Sequence, residues 1–391
     1  MVTVLGVVHP LTQEATLQAS HPSVPRLCSR QPGWGSSLVS NERRSLLRWS
    51  GSGVVVALAA KASSARKTRK PRLPVQPGTV TAPRTVPDSI PVPPYMLPGG
   101  PRSIEDGFPI HEFTNGTGDE KHIEIKTPEQ IEAMRPACKL ARKTLEFAGR
   151  LVKPGVTTES IDAAVHDFIV SNGAYPSPLG YLGFPKAVCT SVNDVIAHGI
   201  PDSRKLEDGD IVNIDVTVFL NGYHGDTSSM FYAGRPSKSA QVLCETTRRA
   251  MNAAIKICGP GKDFRDIGRA IKEGIDGTNY YCSTKLTGHG IGNYFHGKPT
   301  IIPFLNNIDQ GLMKPGMTFT IEPVIVENND NTAMLREDGW TLQTKKGSWT
   351  AQFEHTVLIT EKGFEVLTGP SVDYRGIARE QLGLPAKSSK H

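Results

Sequence analysis

The chain has 391 residues, enough to bury a large core and to hold two or three domains. Its formal net charge of +6 is uneven: residues 1–103 carry thirteen Lys or Arg against Glu14, Glu42 and Asp88, and the remainder carries 31 basic against 35 acidic residues, so charge gives no argument for nucleic-acid binding by the folded part. No apolar run approaches the ~20 residues of a membrane span, and six scattered cysteines without a C-x-x-C pair argue against a zinc ribbon or a disulfide framework and suit a reducing compartment.

Residues 1–105 read as an address followed by a linker, all of it expected to be disordered. The segment is poor in acids and rich in Ser, Arg and Ala, as organellar transit peptides are. A weak apolar run ends in VALAAKA at 56–62, a processing neighbourhood. The proline-dense stretch 71–101 predicts an extended, semi-rigid spacer, with an SH3-like partner as a weaker reading of its Pro-x-x-Pro content.

The globular region is expected over 106–371, with 372–391 as a C-terminal tail. Thr127-Pro128-Glu129-Gln130 reads as a capping box with proline at the first helical position. Ile131, Met134, Cys138, Ala141, Leu145 and Ala148 then alternate spacings of three and four, one buried helical face, and Pro136 predicts a kink. A second helix is predicted over about 158–172, stopped by Gly173. A turn-rich stretch at 175–185, a short strand to Ser191 and Ile196-Ala-His198-Gly-Ile-Pro201 follow.

Residues 210–227, DIVNIDVTVFLNGYHGDT, read as two strands around Asn221-Gly222, the dipeptide that favours a two-residue hairpin turn. With that turn, Leu220 faces Tyr223, Asp215 faces Ser228 and Asp226 faces Thr217. Asp215 and Asp226 then share one face as diagonal neighbours, about 7–8 Å apart at the backbone. A buried pair of like charges is costly unless a cation sits between them. The pair is a candidate metal site; the plain alternative is two unrelated acids on a solvated sheet face.

The pattern then starts again. Residues 237–258 read as a helix with Val242, Thr246, Ala250, Ala253 and Ile257 on one face, and 264–275 as another. Pro154-Gly155 before Ile161 matches Pro260-Gly261 before Ile267, an offset of 106, and GDIVNID ending at Asp215 matches GMTFTIE ending at Glu322, an offset of 107. A near-constant offset with helix-helix-strand order suggests a duplicated unit whose two acids meet at a pseudo-twofold axis.

Beyond these acids stand His289 among glycines that allow close backbone approach, and Glu354 in an alternating segment. One imidazole with four carboxylates is a hard, oxygen-rich set suited to Mn(II), Fe(II), Co(II) or Zn(II). The set Asp215, Asp226, His289, Glu322 and Glu354, within SVNDVIAHGIPD, NIDVTVFLNGYHGDTS, GHGIGNYFHGKP, TFTIEP and AQFEHT, resembles the five-ligand centre of the pita-bread peptidases, and among them the type I methionine aminopeptidases. The resemblance covers about residues 124–370. It implies an α/β (α+β) pita-bread fold: a duplicated helix-helix-strand unit with pseudo-twofold symmetry and a central antiparallel sheet. No long insertion between His296 and Glu322 disfavours the type II enzymes, and no second folded domain before 124 disfavours prolidase and aminopeptidase P.

By the same resemblance, Asp215 binds one divalent ion (Co, Mn, Fe or Zn), His289 and Glu322 bind a second, and Asp226 and Glu354 bridge them. The implied reaction is removal of the initiator methionine from nascent polypeptides with a small second residue, by hydroxide activated at the dinuclear centre. Glu322 is the implied proton shuttle; His198 and His296 are implied to bind substrate and stabilise the tetrahedral intermediate. Tyr181, Phe184, Cys189, Phe295 and Trp340 fall at the methionine side-chain positions, and a thioether packs well against aromatic edges. Pro178 and Leu182 depart from a cysteine and a histidine found in relatives, which bears on pocket shape. His224 and His355 are read as supporting or structural, His166 as packed or solvated. Implied partners are nascent N-termini after deformylation, with the ribosome as an open candidate; no nucleic acid or membrane is expected to bind, and the chain is expected to be monomeric. The implied location is the chloroplast stroma in preference to the mitochondrial matrix. A catalytically dead binding module and a prolidase-like dipeptidase are the competing readings.

Overall fold

Asn221 and Gly222 turn as their residue types dictate, with φ of +53° and +83°, the positive pair that a two-residue hairpin of this kind requires. They join strands Ile211–Leu220 and Tyr223–Tyr232, paired in the register that the turn fixes: Leu220 with Tyr223, Thr217 with Asp226, Asp215 with Ser228. The computed structural model describes residues 73–100 and 123–385. The transit segment and its processing neighbourhood therefore lie outside the described residues, as do 101–122 and 386–391.

The hairpin sits inside a nine-stranded antiparallel sheet. From one edge the order is Tyr175–Pro176, Ile211–Leu220, Tyr223–Tyr232, Glu354–Thr360, Thr318–Ile321, Gly288–Gly290 and Gly297–Ile301. Cys189–Val192 adds to Ile211–Leu220, and Gly363–Val366 to Glu354–Thr360. Four helices follow the duplicated order: α1 (Pro128–Leu151), α2 (Thr158–Ser171), α3 (Lys238–Lys256) and α4 (Arg265–Ile275).

The repeat is written in backbone hydrogen bonds. Gly155 N–H donates to Leu206 O and Leu206 N–H to Val156 O; Gly261 N–H donates to Met313 O and Met313 N–H to Lys262 O. Gly209 and Gly316, with φ of +99° and +89°, turn the chain into the matched strands. The two halves meet where Tyr223–Tyr232 pairs with Glu354–Thr360. This is the pita-bread architecture.

Helix α1 begins with the capping box, Gln130 N–H donating to Thr127 Oγ1 (3.3 Å) and Thr127 N–H to Gln130 Oε1 (2.7 Å). It runs on through Pro136 and buries Met134, Cys138, Ala141, Leu145 and Ala148. Its backbone lies against the hairpin so closely that a Cβ on Gly225 would stand 2.5 Å from Cys138 N. In α3 Thr246 and Ala250 are buried as expected, but Val242 is exposed, and Leu243, Thr247, Met251 and Ala254 complete the inward face. Leu243 and Met251 offer more apolar area than Val242 and Ala253, so burial selects them.

Two boundaries differ from expectation. Residues 73–87 form neither helix nor strand, turn where Ile90 N–H donates to Pro87 O (2.9 Å), and lead into a 3-10 turn at Pro94–Met96, but the segment is bound to the domain. Val75 N–H donates to Asp194 Oδ1 (3.0 Å), Gly78 N–H to Asp202 Oδ2 (2.6 Å), and Lys186 Nζ to Thr81 Oγ1 (2.8 Å). Arg84 pairs with Asp167 at 2.9 Å, and Val86, Ile90 and Val92 pack on Tyr175, Leu179 and Phe219. Proline content reports stiffness; the interspersed Val, Gly and Thr supply the adhesion. At the other end, 374–381 of the expected tail form helix α5 (Tyr374–Gln381), capped by Asp373, with Tyr374, Ile377 and Ala378 in the main core.

Because α1 backbone occupies the space beside Gly225, Gly225→Ala should overpack this contact and cost roughly 1–3 kcal/mol. Thermal unfolding should show a Tm several degrees below that of the parent; an unchanged Tm would mean that the helix is free to lift from the sheet.

Candidate metal centre

Strand register assembles the site. Asp215 faces Ser228, and Ser228 in turn faces Glu354 on the next strand. Asp226, two residues before Ser228, shares their face because strand side chains alternate. His355 pairs with Ile321, so Glu322 follows that strand opposite Glu354. His289, on Gly288–Gly290, brings its Nε2 to 3.6 Å from both Asp226 Oδ2 and Glu322 Oε1. Donor atoms of Asp226, His289 and Glu354 all lie within 4.8 Å of one another. Thus the four acids and one imidazole named from the sequence stand together on one sheet face.

Their surroundings are dry: Asp226, His289 and Glu354 are 4%, 6% and 2% exposed. Burial pushes the Asp215 carboxyl up to about 7 and Glu322 up to about 8, the latter with repulsion from Asp215 added. Asp226 and Glu354 are held well above the usual carboxylate range by burial first and by their acidic neighbours second. Burial also lowers His289 to about 4. His289 Nδ1 lies 3.1 Å from Gly290 O, and a carbonyl only accepts, so Nδ1 carries the proton and the Nε2 lone pair points at carboxylate oxygens. Asp215 Oδ1 is buried and has no hydrogen-bond partner. Lone pair against lone pair, with an orphaned carboxylate oxygen, is a donor set that suits a divalent cation.

Neighbours hold the carboxylates in place. Thr217 Oγ1 donates to Asp226 Oδ1 (2.7 Å), Thr320 Oγ1 to Glu322 Oε1 (2.8 Å) and Gln352 Nε2 to Glu322 Oε2 (3.2 Å). Thr320 and Gln352 were not singled out from sequence, although both sit inside the TFTIEP and AQFEHT motifs.

Beside this face lies one apolar cluster made of Tyr181, Phe184, Cys189, Phe295 and Trp340. Phe184 meets Trp340 edge-on at 5.2 Å, and Tyr181 lies 4.9 Å from Phe295. Leu182, with φ of +46°, packs on the rim with Ile200. Pro178 precedes this loop. His296 joins cluster and acids: its ring is 4.2 Å from His289 and 5.2 Å from Tyr181, whose hydroxyl is 3.1 Å from His296 Nδ1. His198, at φ +55°, stands edge-on to Trp340 at 6.4 Å, and burial lowers it to about 4.

Tyr95 also packs on this cluster and was missed, although it is the lone aromatic of 71–101. Among the described residues, His166, His224 and His355 lie outside the donor set. His224 is buried, bonded through Nδ1 to Ser177 Oγ (2.9 Å) and stacked on Phe295 at 5.2 Å. His355 bonds Thr368 and Ser371, and His166 is buried beside Asp167 and Arg84.

Residues 132–361 match metallopeptidase family M24. The chain belongs to that family. It is 48% identical over 294 residues to methionine aminopeptidase 1D, chloroplastic/mitochondrial, of Arabidopsis thaliana, covering 75% of this chain and 79% of that protein. It is 46% identical to the mitochondrial methionine aminopeptidase 1D of Homo sapiens, with 75% and 83% covered. Among solved structures, a methionine aminopeptidase from Rickettsia prowazekii superposes with a TM-score of 0.62 at 46% identity, covering 63% of this chain and all of that one.

The raised carboxyl values set a pH dependence for the chelated protein. Between the ordinary values of 3.8 and 4.5 and the folded values of about 7 and 8, the folded state holds more protons than the unfolded one. Stability therefore falls as pH rises through that window. Denaturant unfolding in chelator should show a lower midpoint at pH 8 than at pH 6.5, above the range in which the lowered histidines act with the opposite sign. Added Mn(II) should restore it at pH 8 and should fail to do so in Asp226→Asn; a flat profile that ignores Mn(II) would refute this electrostatic account.

Proposed function

We propose that this chain is a metal-dependent aminopeptidase that removes the initiator methionine from new polypeptides whose second residue is small. The observation that carries the reading is the junction at His296, which touches both the acid–imidazole face and the aromatic cluster. A pocket of aromatic edges suits one unbranched thioether side chain, and reactive groups beside it would meet the first peptide bond. The names of the aligned relatives support the same activity.

In this reading Asp215, Asp226, His289, Glu322 and Glu354 would hold two divalent ions, of Co, Mn, Fe or Zn. Such ions supply Lewis acidity and a hydroxide nucleophile near neutral pH. Asp215 would serve one ion, His289 and Glu322 the other, and Asp226 and Glu354 would serve both. Glu322, oriented by Thr320 and Gln352, takes the proton released on attack and returns it to the leaving amine. His198 and His296, kept neutral by burial, donate N–H to the developing oxyanion. Tyr181 O–H donating to His296 Nδ1 would leave the proton on Nε2, where that donation needs it. Tyr181, Phe184, Cys189, Phe295 and Trp340 exclude water around the methionine side chain.

Residues 1–72 are proposed as transit sequence and 73–385 as the catalytic unit. Relatives named for chloroplast and mitochondrion support an organellar location; serine and alanine content favours the chloroplast stroma. Substrates there are N-termini already deformylated, met by a monomer. All five donors are present, which speaks against an inactive binding module.

Methionine release from Met-Ala-Ser and Leu-Ala-Ser, by the full chain after chelation and after adding Mn(II) or Co(II), tests the proposal. Only the methionine peptide should be cleaved, and only with metal. His296→Ala should lose about 10²–10³ in kcat while metal still raises Tm. Folded, metal-loaded protein that releases nothing from either peptide would end this reading.

A further inference from the structure

The bound proline-rich segment does more than cover the surface. It is tied down along its length: Val75 to Asp194, Gly78 to Asp202, Thr81 to Lys186, Arg84 to Asp167. Next come Val86, Ile90 and Val92 on Tyr175, Leu179 and Phe219, directly ahead of the 3-10 turn Pro94–Met96. Stiff chain fixed at several points delivers its end to a defined place with little entropy left to lose.

That place is the back of the aromatic cluster. Tyr95 O–H donates to Ser177 O (2.6 Å), and its ring meets Tyr181 edge-on at 4.8 Å, with planes at 77°. It also stacks on His224 at 6.0 Å and 19°; His224 stacks on Phe295 at 5.2 Å and 10°, and Phe295 on His296 at 4.1 Å and 29°. The neighbouring Met96 closes over Gly180: a Cβ there would stand 2.6 Å from Met96 Sδ, and Gly180 itself has φ +79°. Tyr95 and Met96 thus bracket the loop that carries Tyr181 and Phe184. Leu182 on that loop holds a left-handed φ of +46°, a conformation that needs support from its surroundings.

We infer that Tyr95 is a positioning residue for methionine recognition: delivered by the anchored segment 73–97, it fixes Tyr181 and, through the His224–Phe295 stack, the wall of the pocket and the ring of His296. The inference rests on the functional reading above. It assigns to a segment outside the M24 match, 132–361, a part in selecting the substrate.

The test compares Tyr95→Ala and Tyr95→Phe in the full metal-loaded chain by two readouts: calorimetric affinity for free L-methionine, which needs no turnover, and kcat and KM on Met-Ala-Ser and Leu-Ala-Ser. Tyr95→Ala should weaken L-methionine binding and raise KM about tenfold, with a smaller fall in kcat, and should narrow the preference for methionine over leucine. Tyr95→Phe keeps the ring and its edge-to-face contact with Tyr181 and should stay within about threefold of the parent. If Tyr95→Ala does not fold, Tyr95→Leu, which keeps apolar bulk without the ring, is judged by the same criteria. Parent-like affinity and selectivity in the ring-less variant would overturn the inference alone, as would equal losses in Tyr95→Phe and Tyr95→Ala. A parent chain that neither binds L-methionine nor releases it would overturn the functional reading and this inference together.

Discussion

Four carboxylates turned toward one another in a dry sheet face constrain everything else in this chain. Without a cation they repel; burial lifts Asp215 to about 7 and, with repulsion from Asp215 added, Glu322 to about 8. Such a face persists only because rigid elements hold it: α1 lies on the hairpin at backbone distance beside Gly225, and Thr217 and Thr320 spend their hydroxyls on Asp226 and Glu322. The fold's stability and its capacity for metal are therefore coupled. The interactions that would bind a divalent ion most tightly are the ones that cost most in its absence.

Precision comes from strand pairing. Once Asn221-Gly222 fixes the hairpin, a slip of one residue would send Asp215 and Asp226 to the opposite face, into the helices. Pairing of Tyr223–Tyr232 with Glu354–Thr360 then carries the row from Asp215 through Ser228 to Glu354. Duplication supplies the second half, so that His289 and Glu322 approach from the other side of the same axis. Donors from four separated stretches of chain meet with few loops involved, and sites built on strands hold their geometry better than sites on loops.

The aromatic cluster is organised differently. It is assembled from loops, with Tyr181 and Leu182 in a turn that includes a left-handed residue and His198 at φ +55°. Its support comes partly from a segment far upstream, through Tyr95 and Met96. A sheet fixes the polar half of the site while a strap and stacked rings fix the apolar half, and His296 stands where the two meet.

Much of this was legible in the amino-acid order. The capping box at Thr127, the hairpin register and with it the shared face of Asp215 and Asp226 are set by local chemistry: turn residues that take positive φ, side-chain periods of two or 3.6, and acids at fixed distances from a turn; the repeat offset added Glu322, and the family resemblance completed the set with His289 and Glu354. Sequence also gathered Tyr181, Phe184, Cys189, Phe295 and Trp340 through the family resemblance. What it did not give was the whole inward face of α3: Thr246 and Ala250 are buried as expected, but whether Leu243 or Val242 joins them depends on the neighbouring elements. Nor did it give the fate of residues 73–100, whose prolines predict an extended chain but not a bound one, or of α5, whose apolar residues are few. Local order determines which conformations a segment can adopt; only the assembled surface, through Asp194, Asp202, Ser177 and the rings around Tyr181, decided where the free segments adhere, because such adhesion is a property of two surfaces and not of one.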